Sequence, residues 1–511
     1  MILTNASEND DMLEVLEAFK RHSRLSNVDF EIREYTNYLL LYLANPTNRF
    51  FGILNQILEN IPEQNPYQQH TTIIKRPKSP SERLLLSEVQ LLRTVLSESL
   101  TVTQHSFEDD FFSRYTTSVL GAEAQIKSDG NHIVYGRRGA GKSSLLAFFM
   151  HSLRQEKKPY TWIAMQTYNH REDIQVVTDV LMEVVEQFQK YNIASADLDK
   201  VRLKLESLAD ETDDKIVENQ LNRLRPKIRK ALALIAGKYS SLFIFIDDVH
   251  VIKQALQPVL LSHLYAICRD NRTFLKISGI EQFVKTYDPF SRQGLEKPHD
   301  AQEIRLDYNL TLPDKSKNHI KSILDAQAVY CALPDISYLC GKGVLDRLVW
   351  VAAGVPRDAL YIFSQAIARS TMRDEKKVSI SSIHAAASEM VEGKLKDMQQ
   401  DIFGDSEEVK PILEKIRSFC IDEKRKNAFL VEIKHENPLF AKIQQLIALR
   451  FLHVIHEGIT PGKTGRRFMA LMLDYGFYVG IRAARSVDLF QKEPKALTAH
   501  DLRKLPIFPL S

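Results

Sequence analysis

Apolar residues along this chain fall into two kinds of run. Through Leu13, Val15, Leu16 and Phe19, and again through Tyr38, Leu41, Phe51, Leu54 and Leu58, they recur at helical spacing, so residues 1–75 are predicted to form an N-terminal helical domain. From residue 130 onward the runs shorten and become β-branched or aromatic: Ile133–Tyr135, Tyr160–Met165, Leu242–Ile246, Phe274–Ser278 and Glu303–Leu306. Helical periodicity separates them, above all between Arg171 and Lys238. Alternating strand and helix predicts a parallel α/β sheet covered on both faces. The helical pattern then returns over residues 311–398.

Residues 399–490 change rhythm again. A predicted helix (Glu407–Phe419), a short apolar stretch (Ala428–Ile433) and a second helix (Asn437–Leu449) precede two strands, Phe451–His456 and Arg467–Leu473. Helix, helix, hairpin is the winged-helix pattern, with Lys463, Arg466 and Arg467 on or beside the wing. Arg76–Arg83 has the polar, proline-broken character of a linker, and residues 84–130 are expected to be helices leading into the first strand of the sheet. The tail, residues 491–511, has no period and is expected to be loose or docked as a strap.

Composition adds limits. With 511 residues, of which 44% are hydrophobic, there is apolar sequence for about three cores. The net charge of +3 does not mark a nucleic-acid binder, so any DNA contact must come from a local patch. Arg223, Arg225, Lys227, Arg229 and Lys230 form one basic segment, which reads first as a solvated helix face. The longest apolar runs are far shorter than the ~18 residues of a membrane span. Glu8, Asp10 and Asp11 stand where a signal peptide would carry positive charge, so a cytoplasmic location without membrane contact is expected. The four cysteines lack any C-x-x-C spacing and are expected to be reduced, buried thiols.

The chemistry lies at the ends of the strands. Immediately after Tyr135 come Gly136, Arg137, Arg138, Gly139, Ala140, Gly141, Lys142, Ser143 and Ser144, which fit G-x-x-x-x-G-K-[ST] between a strand and a helix. Glycines let backbone N–H groups curl around phosphate oxygens, and the helix that follows aims its positive dipole end at the same anion. Lys142 would reach the β/γ-phosphates of ATP, and Ser143 would ligate Mg²⁺. Ser241–Asp248 is an apolar strand ending in two carboxylates, at the edge where parallel sheets bind ligands. There Asp247 would hold Mg²⁺ and Asp248 would orient or deprotonate the attacking water. Ser278 ends the next strand with a hydroxyl. Arg357 follows Pro356 in the first turn of a new helix, a position that opposes the dipole unless an anion is bound.

In this order of parts, roughly residues 105–485 resemble the AAA+ ATPases of the origin-recognition-complex-like group, including its bacterial members. The resemblance implies an AAA+ type core over 84–310, a helical lid over 311–398 and a winged-helix domain that binds duplex DNA. It implies that Ser278 is sensor 1, that Gly354-Val-Pro-Arg357 is the sensor 2 motif and that Arg292, in Asp288–Arg292, is an arginine supplied in trans within a homo-oligomer. In that family the acidic strand usually ends Asp-Glu, whereas here it ends Asp247-Asp248. The paired aspartates and the Gly-x-Pro sequence are also similar to STAND signalling ATPases. Two functions follow as expectations: an ATP hydrolase that assembles on DNA or a partner, or a slow or non-hydrolysing switch whose N-terminal domain recruits an effector protein. Bacterial relatives of this architecture imply a role in phage defence or a mobile element.

Overall fold

The structure is a computed structural model. It describes residues 6–33, 36–77, 82–102, 109–118, 121–306, 310, 313–400, 406–461, 465–478 and 498–510, apart from 170, 172, 192 and 210. The wing tip with Lys463, the middle of the expected linker and the first part of the tail lie outside these residues.

The N-terminal unit corrects the helical expectation for residues 1–75. Helices Ala6–Ser23 and Asn48–Asn60 are present, but they pack beside a three-stranded sheet of β1 (Asp29–Arg33), β2 (Tyr38–Leu43) and β3 (Thr71–Lys75). β1 and β2 run antiparallel and β3 joins β2 in parallel. In the Tyr-Leu-Leu-Leu-Tyr-Leu run, Leu39 and Leu41 are fully buried together with Leu43. So apolar a segment satisfies helical and extended patterns alike, and its pairing partners decide between them.

The central sheet has five strands in the order β10-β4-β7-β6-β5: β4 (His132–Tyr135), β5 (Tyr160–Ala164), β6 (Leu242–Asp247), β7 (Thr273–Gly279) and β10 (Gln302–Arg305). Every pairing in it is parallel. Alternate residues of β6 serve opposite faces: Ile244 and Ile246 enter one core, Phe243 and Phe245 the other. Helices cover both faces, which is why β6 reads as an unbroken apolar run. Between β7 and β10 a small antiparallel hairpin, β8 (Tyr287–Asp288) and β9 (Gln293–Gly294), carries Phe290 and Arg292. In the long helix Asp214–Tyr239, Leu221, Leu224 and Ile228 are buried while Arg223, Lys227, Arg229 and Lys230 are exposed on a solvated face; Arg225, expected with them, is half-buried and donates to His263 Nδ1 at 2.9 Å.

Helices Pro313–Tyr330, Val344–Val351, Pro356–Met372 and Ile380–Gln400 follow. The C-terminal module contains helices Ser406–Ser418 and Pro438–Ala448 and a four-stranded sheet in the order β12-β13-β11-β14. Its strands are β11 (Ala428–Glu432), β12 (Leu452–Ile459), β13 (Phe468–Leu473) and β14 (Ile507–Phe508). β14 pairs in parallel with β11, so the last part of the tail is docked as a strap. A continuous apolar core joins this module to the four preceding helices and to the N-terminal unit. Helix Ser87–Glu98, expected with the ATPase core, joins that composite core through Val89, Leu92 and Val95.

Among the described residues no helix is long and apolar enough to cross a membrane. All four cysteines are free, and Cys268, Cys331 and Cys420 are buried.

Candidate functional site

β4 lies between β10 and β7, and the chain turns at its C-terminal end into helix Lys142–Gln155. The turn depends on two left-handed glycines, Gly139 at φ +82° and Gly141 at φ +96°. At Gly139 a second constraint acts, since an added Cβ would stand 2.7 Å from the Cβ of Arg357. Loop and helix therefore form a cradle whose open N–H groups and dipole favour an anion.

Lys142 is buried, and its Nζ donates to the carbonyls of Gly136 (3.2 Å) and Arg137 (3.5 Å). It lies 4.0 Å from Asp248 Oδ1. Burial lowers its pKa, while the charges of Asp248 and Asp247 draw it back up.

Asp247 is buried at the end of β6 and accepts hydrogen bonds from the hydroxyls of Ser278 and Ser143. Burial first, and then the negative charge of Asp248, push its carboxyl up to about 6. Asp248 adopts the left-handed conformation (φ +59°), which ends the strand sharply, and its N–H donates to Ser278 Oγ at 2.8 Å. Its Oδ2 accepts from Gln166 Nε2 at 3.0 Å, and His250 Nδ1 stands 3.8 Å from Oδ1. Burial holds His250 down at about 4, so at neutral pH this contact is not an ion pair.

Arg357 arrives from the other side. It occupies the first turn of helix Pro356–Met372, and its backbone N–H donates to the Gly139 carbonyl at 3.3 Å. Burial, with the like charges of Arg450 and Arg138, lowers the pKa of its guanidinium. Arg138, Gly139, Ala140, Gly141, Lys142, Ser143 and Ser144 line one cleft of ≈ 1430 Å³ with Asp247, Asp248, Gln166, His250 and Arg357. Several cations that repel one another, beside a helix N-terminus, form a receptor for a polyanion.

Two residues, Arg137 and Ser278, do not line the cleft, and Arg292, expected to act in trans, lies outside its own chain's cleft. Arg137 turns its side chain away from the cleft: Nη2 donates to Ala353 O (3.3 Å) and Nη1 to His453 Nδ1 (3.4 Å). Ser278 is wholly buried and touches both aspartates, so it positions them rather than lining the cleft. Arg292 is exposed on the β8–β9 hairpin, at φ +55°, and does not line its own chain's cleft. Gln166, His250 and Arg450 escaped the sequence reading. Gln166 alone had a signal, because it directly follows the predicted strand Tyr160–Met165 at the sheet edge where ligands bind.

Many solved structures are similar to this chain, three of which serve as examples. Cdc6p from Pyrobaculum aerophilum is 12% identical, with 76% of this chain and 98% of that chain covered, at a TM-score of 0.35. The Aeropyrum pernix ORC1 protein in complex with DNA is 14% identical over 75% and 93%, with a TM-score of 0.38. A Walker-type ATPase of Pyrococcus abyssi is 13% identical over 72% and 95%, with a TM-score of 0.41. No curated protein matches the chain by sequence. Residues 118–274, which hold the cradle, both aspartates and four of the five parallel strands in whole or in part, match the family model of the AAA ATPase domain.

Proposed function

We propose that this protein is a Mg²⁺-dependent ATPase in which bound ATP draws the helices of residues 313–400 onto the parallel sheet and controls assembly on DNA or on a protein partner. One observation carries the reading. The P-loop cradle, the paired aspartates of β6 and Arg357 from a separate helical unit all converge on a single cleft.

The residues present suit Mg²⁺. Ser143 and Asp247 offer hard oxygen donors already in contact at the edge of the cleft, the donor chemistry that Mg²⁺ takes. Mg²⁺ bound there would neutralise charge on the β- and γ-phosphates. Lys142 would exchange its carbonyl partners for phosphate oxygens. Asp248 would orient the attacking water and accept its proton, held in place by Ser278 through the backbone and by Gln166 through the carboxylate. Arg357 would report the γ-phosphate from the lid, and Arg292 would serve the neighbouring subunit's cleft. The helix, strand, helix and hairpin of residues 406–473 support a winged-helix reading, with Arg466 and Arg467 available for duplex DNA.

A second reading, a slow switch, draws support from Asp248. Its side chain is one methylene shorter than glutamate, and its Oδ2 already accepts a hydrogen bond from Gln166 Nε2 at 3.0 Å. ATP turnover measured over a range of protein concentrations, with and without duplex DNA, tests both. Steady turnover that rises with concentration supports the hydrolase. One tightly retained nucleotide with negligible turnover supports the switch, and no nucleotide binding at all overturns both.

A further inference from the structure

The start of the P-loop is fastened to the far end of the chain. From the Arg137 guanidinium, a run of buried polar contacts passes to His453 Nδ1 (3.4 Å), from His453 Nε2 to Asp474 Oδ2 (3.0 Å), and from Asp474 Oδ2 to Lys394 Nζ (2.9 Å). Lys394 continues to Asp358 Oδ2 at 3.1 Å, and Asp358 also pairs with Arg450. No member is more than 9% exposed. The chain unites three bodies: the P-loop through Arg137, the lid through Asp358 and Lys394, and the C-terminal module through Arg450, His453 and Asp474.

We propose that His453 is a positioning residue for the P-loop, so that seating the C-terminal module and binding nucleotide favour one another. This rests on the nucleotide-binding reading of the cleft and adds a regulator to it.

The chemistry of the histidine supports the assignment. Asp474 can only accept when ionised, so Nε2 carries the proton and Nδ1 is left as an acceptor for the Arg137 donor. The neutral ring therefore fits both neighbours at once. Burial, with the cations of Arg137 and Lys394, favours that neutral form against the pull of Asp474. On the P-loop side, the backbone carbonyl of Arg137 accepts from Lys142, the phosphate-binding lysine. His453 thus lies two side chains from the phosphate site, through Arg137 and Lys142. Arg137 also donates to Ala353 O, just before the helix that supplies Arg357. A seated module holds the first turn of the cradle in place before the anion arrives, which reduces the ordering needed on binding. Linkage then requires nucleotide to tighten the seat by the same factor.

ADP binding by the full chain, measured by calorimetry, tests this. Arg137→Gln and His453→Gln should each weaken ADP by roughly fivefold or more, the lower end of usual coupling. The double variant should be no weaker than either single one, because both remove one link. His453→Asn, which keeps an acceptor near Nδ1, should recover much of the loss. Hydrogen exchange supplies a readout that general destabilisation does not mimic: ADP should slow exchange in β12 and β13 of the parent and leave it unchanged in Arg137→Gln. Losses that multiply in the double variant, or parent-like affinity in folded single variants, overturn the proposal. Where the His453 variants do not fold, ADP-dependent protection of β12 that persists in Arg137→Gln overturns it equally. Should Lys142→Ala abolish ADP binding while Arg137→Gln leaves it intact, the cleft reading stands and the coupling alone fails.

Discussion

Replacing Lys394 by Met removes a cation that sits between two buried carboxylates while keeping most of the side chain's volume. Its Nζ lies 3.1 Å from Asp358 and 2.9 Å from Asp474, and the side chains of all three are at most 7% exposed. At an effective dielectric of ~20, each contact represents about 5 kcal/mol of gross attraction. Rehydration of the lysine in the unfolded chain offsets several kcal/mol of that, and the net loss on breaking a buried pair is typically about 3–5 kcal/mol. For a cooperative unit of roughly 150–200 residues, that corresponds to a melting shift of about 6–20 °C. Calorimetric melting of parent and variant at neutral pH measures it, with the helices of residues 313–400 and the C-terminal module as the affected transition. The pH dependence adds a check of sign. Burial works against ionisation of both aspartates, but Arg450 and Lys394 at Asp358, and Lys394 with His453 at Asp474, hold both carboxyls below the usual range. Their contribution is complete above the ordinary aspartate value of about 3.9 and is lost as pH falls through the lower folded values. The deficit of Lys394→Met should therefore be largest at neutral pH and shrink in acid below about pH 4. A variant melting within ~2 °C of the parent at pH 7 would show that the triad adds no net stability.

Other expectations concern the cleft. Asp248→Asn should retain ADP affinity and lose at least about 100-fold in turnover, because an amide cannot accept the water's proton; persistent turnover would assign the base elsewhere. Gly139→Ala should weaken nucleotide binding by about tenfold or more, since the new methyl strains a left-handed residue and meets Arg357, and an unchanged affinity would refute that close approach. Arg292→Ala should flatten any rise of specific activity with protein concentration, and mixing it with Lys142→Ala should restore activity; absence of both effects would exclude a trans role. Neutralising Arg466 and Arg467 should lower the salt slope of duplex binding by about one unit each, and identical affinities at every salt concentration would make the module a protein-docking surface.

Local pattern was enough for much of the ATPase domain. The P-loop could be read because strand, glycine spacing, lysine and helix lie within one short segment, where each residue's task follows from its neighbours in sequence. β6 could be read because a strand buried on both faces must be apolar throughout, and the acids at its end stand out against that run. Strand order, by contrast, is invisible in a single sequence: β10, late in the chain, sits beside β4 because pairing depends on three-dimensional packing. The N-terminal strands were missed for the related reason that Tyr38–Leu43 fits either period until partners are known.

Buried charge shows the limit most clearly. In sequence Lys394, Arg450 and His453 look like ordinary surface residues, and Arg137, read there as part of the P-loop, is 316 positions from His453. Sequence by itself determined which local segments could form a phosphate cradle and an acidic strand end, because hydrogen-bonding geometry and burial act there over a few residues. Only the tertiary structure decided that the cradle's second residue is held by the C-terminal module. An ion or hydrogen bond in the interior exists only where distant segments bring complementary groups out of water together, and nothing local records that meeting.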